Sequence, residues 1–155
     1  MSKIYQRKLA RVQDERDTAE ETVAYARDNW YTKSLFNEAG FDGRTLDSIL
    51  QLAESLDAIF TIRLFAAFEG MLREHMRLYH PRSPVPEDAG ASYLIDRVAT
   101  SQTKRISLDL CDRVHEVRQY RNSLMHPDGK RATEIPFTVA LARLARYVGW
   151  LPEPK

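Results

Sequence analysis

The segment Arg121-Asn122-Ser123-Leu124-Met125-His126 puts a guanidinium and an imidazole near one helix end, followed by Pro127. An arginine can hold negative charge on a phosphate while a histidine moves protons near neutral pH, so the pair suits phosphoryl chemistry. Pro127 disfavours helical geometry at His126 and so frees that residue from the helix. The negative end of the helix dipole there attracts positive charge. Arg121 also interrupts an apolar stripe formed by Leu108, Cys111, Val114, Val117 and Leu124, and Glu69 interrupts another formed by Ile62, Phe65, Leu72 and Met76. A guanidinium on an inward-facing stripe needs a partner, because burying it unpaired is very costly. The pattern therefore predicts that Arg121 and Glu69 form one polar inclusion in an apolar bundle. An arginine alone would support an ion pair that only orders the packing; His126, five residues on, turns the reading towards a site.

Other candidates carry less. Arg73 and His80, with six residues between them, also satisfy a loose Arg-to-His spacing, so spacing by itself is unspecific. His75 and His80 flank the end of a long helical segment and are expected at the surface; their five-residue separation puts them on different faces, and no second cluster completes a metal site. His115 beside Glu116 is expected to face solvent. Cys111 lies on the apolar stripe and reads as core rather than nucleophile. Tyr120 and Tyr147 are expected to pack rather than to stack on bases. There is no glycine-rich phosphate loop and no paired-carboxylate metal set, which argues against an NTPase or a metal nuclease. No cofactor is expected.

The elements that must position these residues are helices. Apolar residues recur at helical spacing throughout, and no stretch alternates cleanly enough for a strand. Five helices are predicted. The first runs from about Ile4 to Asp28, or on to Asn37, with a sparse apolar face of Leu9, Val12, Ala19, Val23, Ala26 and Trp30. After a break at Gly40-Phe41-Asp42-Gly43, with Thr45 or Asp47 as cap, the second runs from about Leu46 to Tyr79. Its apolar stripe of Leu46, Ile49, Leu50, Ala53, Leu56, Phe60, Leu64, Phe65, Phe68 and Leu72 makes it the spine of the core. Its length suggests a kink near Asp57 to Thr61. Pro81, Pro84 and Pro86 end it. A short third helix spans about Ser92 to Thr100, and a fourth runs from an N-cap at Ser107 to about Met125. Asp128-Gly129 makes a turn, and a fifth helix opens with Pro136 and carries Val139, Leu141, Leu144, Ala145, Val148 and Leu151. The fold class is all-α, a bundle of four to five helices with short links.

The 155 residues fit one domain, and 43% hydrophobic with 29% charged residues is a globular balance. The first twenty residues carry charges throughout, unlike a signal peptide, and no apolar run approaches a membrane span. The single cysteine fits a reducing compartment, so cytoplasm is the expected location and no membrane contact is expected. The net charge of +1 argues against nucleic-acid binding by bulk charge. However, residues 104–155 hold ten Lys/Arg against six Asp/Glu, leaving the C-terminal part net positive and able to face phosphates.

The fuller context of Arg121, Asn122, Leu124, His126-Pro127 and a last amphipathic helix ending in Trp150-Leu151-Pro152 resembles domains of the HEPN superfamily. The six-residue motif is its sharp part, and the architectural likeness covers roughly residues 45–152. The resemblance implies one HEPN-like domain over 1–155, with 1–40 as an N-terminal helical extension and 45–152 as the core bundle. It further implies a homodimer whose two motifs form a composite, metal-independent endoribonuclease site. In that site Arg121 would bind or polarise the scissile phosphate, and His126 would act as general acid or base. Asn122 would orient the group nearby, and Glu69 would match a charged residue on an earlier core helix. Attack by the ribose 2′-OH would leave a 2′,3′-cyclic phosphate and spare DNA. Such domains often serve toxin–antitoxin or antiviral defence systems, which implies an antitoxin or regulatory protein as partner. Some members carry a tyrosine two places after the histidine as a site of AMP addition; here that place is Asp128, so the resemblance does not extend to that control. Other members are catalytically inactive dimerisation or binding modules for a protein or nucleic acid, and that alternative stands beside the enzyme.

Overall fold

A computed structural model describes residues 2–35, 43–102, 106–126 and 131–154, with the side chains of 31–44 left out. The expected extension of the first helix to Asn37, the break at Gly40 to Asp42 and the turn at Pro127 to Gly129 lie outside the described residues. Five helices follow in order: α1 (Lys3–Leu35), α2 (Gly43–Tyr79), α3 (Ala91–Ser101), α4 (Leu108–Met125) and α5 (Phe137–Val148). There is no strand among the described residues, and the fold is an all-α bundle. None of these helices is long and apolar enough to cross a membrane.

Gly43 opens α2, so Thr45 and Asp47 lie inside its first turns rather than capping it. The helical assignment continues through Asp57 to Thr61. Its buried hydrophobic side chains begin only at Leu56 and include Phe60, Leu64, Phe65, Phe68, Leu72 and Met76. Upstream, Leu50 and Ala53 are exposed despite their place on the expected stripe. Helical spacing shows that a face is apolar; it does not show how far along the helix neighbours cover it.

The first helix runs antiparallel beside α2, as three ion pairs fix: Lys8 to Glu74 at 2.7 Å, Glu15 to Arg63 at 2.6 Å and Arg16 to Asp57 at 2.7 Å. Tyr5, Leu9 and Val12, on the first turns of α1, pack into the hydrophobic core of the described residues. The N-terminus of α4 is capped as its sequence predicts, with Ser107 Oγ accepting a bond from the Leu110 amide at 3.3 Å. Its buried face is Leu110, Cys111, Val114 and Val117. Leu108 is 81% exposed, contrary to its place on the expected stripe. Two residues at 100° each turn Leu108 away from the face that Leu110 buries.

On α5 the buried side chains are Phe137, Ala140, Leu144, Tyr147 and Val148, while Val139 is exposed. Tyr147 packs edge-on against Phe68, with ring centroids 5.5 Å apart, and its hydroxyl donates to the Ile95 carbonyl at 2.5 Å. Burial pushes that phenol well above its ordinary pKa, which suits a permanent donor. Near the chain ends, the Lys3 amide donates to Glu153 Oε1 at 2.6 Å, and the Tyr79 hydroxyl donates to the Glu153 carbonyl.

Candidate functional site

The last turn of α4 carries Arg121 and Asn122, and His126 is its C-cap. The backbone of His126 leaves the helix with φ −131° and ψ 75°, although its N–H still donates to the Asn122 carbonyl at 3.0 Å. His126 is exposed, as release from the helix requires. Together with Asn122, Ser123, Gln119, Arg131 and Thr133 it lines a cleft of about 560 Å³ between the end of α4 and the strand-free approach to α5.

Arg121 faces another way. Its guanidinium lies over the Phe65 ring, 4.9 Å from the centroid, and its Nη2 is 3.5 Å from Glu69 Oε2. The juxtaposition expected from the two interrupted stripes is therefore present. It is loose, since 3.5 Å is at the outer edge of a charge-assisted hydrogen bond, and the Arg121 side chain stays 21% exposed. The other Glu69 oxygen is nearer to a second arginine: Oε1 accepts from Arg73 Nη2 at 3.0 Å. One carboxylate thus serves two guanidiniums and favours Arg73. The Arg121 Nε is buried and has no hydrogen-bond partner among the described residues.

Asn122 joins the two halves of this arrangement. Its Oδ1 accepts from Arg121 Nη1 at 3.0 Å, while the residue itself lines the His126 cleft. Arg121 is not part of the described cleft lining, so one protomer holds Asn122 and His126 on a solvent-reachable surface with Arg121 behind them. Two contributors escaped the sequence reading. Arg73 was legible, because a carboxylate four residues before an arginine on a helix pairs with it. Arg131 carried no local signal and reaches the cleft through the tertiary fold.

Other residues depart from expectation. His75 is not at the surface but 1% exposed, stacked on Tyr79 with centroids 5.0 Å apart and edge-on to His80 at 5.7 Å. It falls on the face of α2 that the core covers, one position before Met76 and three after Leu72, and an imidazole is small enough to be enclosed there. Its Nε2 lies 2.8 Å from Gln102 Nε2, and its Nδ1 has no partner among the described residues. Burial, and then the nearby His80, lower its pKa to about 4. His115 does not simply face solvent, because its Nε2 meets Asp96 Oδ1 at 2.9 Å and ties α4 to α3. Cys111 is buried, and burial together with Asp96 and Asp112 raises its thiol pKa, the opposite of an activated nucleophile. Among the described residues no group of three His, Cys, Asp or Glu side chains forms a metal-binding set.

Comparison with protein-family models, curated proteins and solved structures gave no match.

Proposed function

We propose that this chain is a metal-independent endoribonuclease of the HEPN type that acts as a homodimer in the cytoplasm, within a toxin–antitoxin or phage-defence system. The observation that carries the reading is the uneven sharing of Glu69. With its carboxylate committed to Arg73 at 3.0 Å and 3.5 Å from Arg121, the Arg121 guanidinium is held in place yet under-neutralised, the state wanted of a group that must receive a phosphate. Asn122 connects it to the surface on which His126 is exposed.

In the proposed reaction the ribose 2′-OH gives up its proton to an imidazole and its oxygen bonds to the adjacent phosphorus. The bond from phosphorus to the 5′-oxygen breaks, and that oxygen takes a proton from a second, protonated imidazole. The two copies of His126 in a dimer supply one base and one acid. A two-fold axis beside the end of α4 would set the Arg121 side of one protomer against the His126 cleft of the other. DNA lacks the nucleophile and is expected to survive. A ribonuclease that is always active would harm its host, so a neutralising protein partner belongs to the proposal; robust growth of cells expressing the active chain alone would count against that partner.

One observation favours a second reading, the catalytically inactive binding module. Arg121 already has Asn122, Glu69 and Phe65 as internal contacts and does not line the cleft. The deciding experiment is cleavage of total RNA and matched DNA in EDTA by the purified protein, with folded Arg121→Ala and His126→Ala variants alongside. Cleavage of RNA alone, lost in both variants, supports the nuclease. A folded dimer inert on a broad RNA panel supports the binding module.

A further inference from the structure

Negative charge gathers where α1 and α2 run past the ion pair of Arg16 with Asp57. Residues 17–57 carry nine Asp/Glu against three Lys/Arg, a net of −6 in a chain of +1. Arg16 pairs with Asp17, Glu20 and Asp57, while the exposed Glu21, Asp47 and Glu54 make no ion pair among the described residues. Packing thins out over the same stretch. No residue of 13–30 on α1 or of 45–55 on α2 is buried, and Leu50 and Leu52 are 37% and 46% exposed. We propose that this end of the helix pair docks a basic amphipathic helix of a partner protein, its apolar stripe on Leu50 and its lysines or arginines on Asp47 and Glu54.

The docking face is a core face of α2 carried on beyond its cover. Leu50 stands fourteen residues before Leu64 and twenty-one before Met71, close to whole numbers of turns, and both of those are buried. Asp47 lies three residues before Leu50 and Glu54 four after it, so both carboxylates share its side of the helix. Helices owe most of their stability to the packing of an apolar face, and a third helix would supply here what the bundle does not. Residues 45–55 span about 16 Å, room for roughly three turns of an amphipathic helix read at i, i+3, i+4 and i+7. Charge then selects the occupant. A local net of −6 repels the phosphates of nucleic acid and an anionic membrane surface alike. It also disfavours a second copy laid face to face, which would set Asp47 and Glu54 against the same carboxylates. Basic side chains flanking an apolar stripe meet carboxylates that have no internal partner to give up. The proposal stands whether or not the chain cleaves RNA.

The probe is a synthetic amphipathic helix with leucines at helical spacing flanked by lysines. Its controls are the same leucines flanked by glutamates, and a scrambled lysine peptide with no stripe. Binding to the full chain is read by calorimetry and by the methyl NMR signals of Leu50 and Leu52, with the buried Leu144 as reference. The lysine helix should saturate one site, move the Leu50 signals and bind at least tenfold more tightly than either control. Raising the salt from about 50 to about 300 mM should weaken it severalfold. Asp47→Asn with Glu54→Gln, and separately Leu50→Ser, alter exposed positions and should each cost at least fivefold in affinity while the helical spectrum is retained. Equal binding of the scrambled peptide would reduce the face to a patch of charge, and equal binding of the glutamate helix would remove the role of the carboxylates; either overturns the proposal. So would unchanged affinity in both variants, shifts that miss Leu50, or no saturable binding at millimolar peptide. A concentration-dependent dimer abolished by Leu50→Ser would assign the face to a second copy and overturn it as well.

Discussion

Lowering the pH should destabilise this protein through His75. The folded ring has a pKa of about 4, whereas an unfolded histidine has one near 6.5. Between those values the unfolded chain binds a proton that the folded chain refuses, so stability is fully present above about pH 6.5 and is lost as the pH falls towards 4. Linkage gives a loss of about 2 kcal/mol at pH 5 and about 3 kcal/mol below pH 4, a large share of the ~5–15 kcal/mol typical of a domain. The assay is urea denaturation at several pH values from 7.5 to 4 for the parent and for His75→Gln, so that titration of carboxylates cancels in the difference. The variant should lose its stability less steeply than the parent across this window. Parallel pH profiles, or an NMR titration placing the folded His75 near 6.5, would show that the enclosure of the ring has been misjudged.

Four further outcomes follow from the packing. Gly70 sits in mid-helix with nothing within 4 Å of where a Cβ would stand, so Gly70→Ala should raise stability by about 0.5–1 kcal/mol, read from the denaturation midpoint. Glu69→Gln removes the carboxylate shared by Arg73 and Arg121 and should cost about 1–3 kcal/mol. In a double-mutant cycle, Arg73→Gln should make Arg121 count for more, because the carboxylate is then free to close on it; strictly additive effects would contradict the sharing. Ser107→Ala should destabilise by about 1 kcal/mol through loss of the bond to the Leu110 amide, with thermal unfolding as the check.

What the sequence made legible was the local and the periodic. All five helices, the cap at Ser107 and the meeting of Arg121 with Glu69 follow from spacing and from the cost of an unpaired buried charge. Periodicity located an apolar face on α4 but not its centre, which is why Leu108 was taken for a core residue when Leu110 holds that place. Leu50 and Ala53 show the same limit, since covering neighbours are a property of the whole bundle. His75 was misplaced because a histidine near a helix end looks like surface until α3 and its following Gln102 are brought over it. The division of labour around Glu69 could not be read either, because it depends on half-ångström differences between two contacts.

The bonds from Lys3 and Tyr79 to Glu153 bring both ends of the described chain to one place. With Ser2, Tyr5 and Leu151 all buried nearby in sequence, neither end can fray without exposing core side chains. The contact between Lys3 and Glu153 spans 150 positions, so it is among the last that a folding chain can close and among the most costly in loop entropy. Amides in the first turn of α1 should therefore exchange with deuterium at rates close to those of α5, as one cooperative unit, in place of the fast exchange usual for a terminal helix.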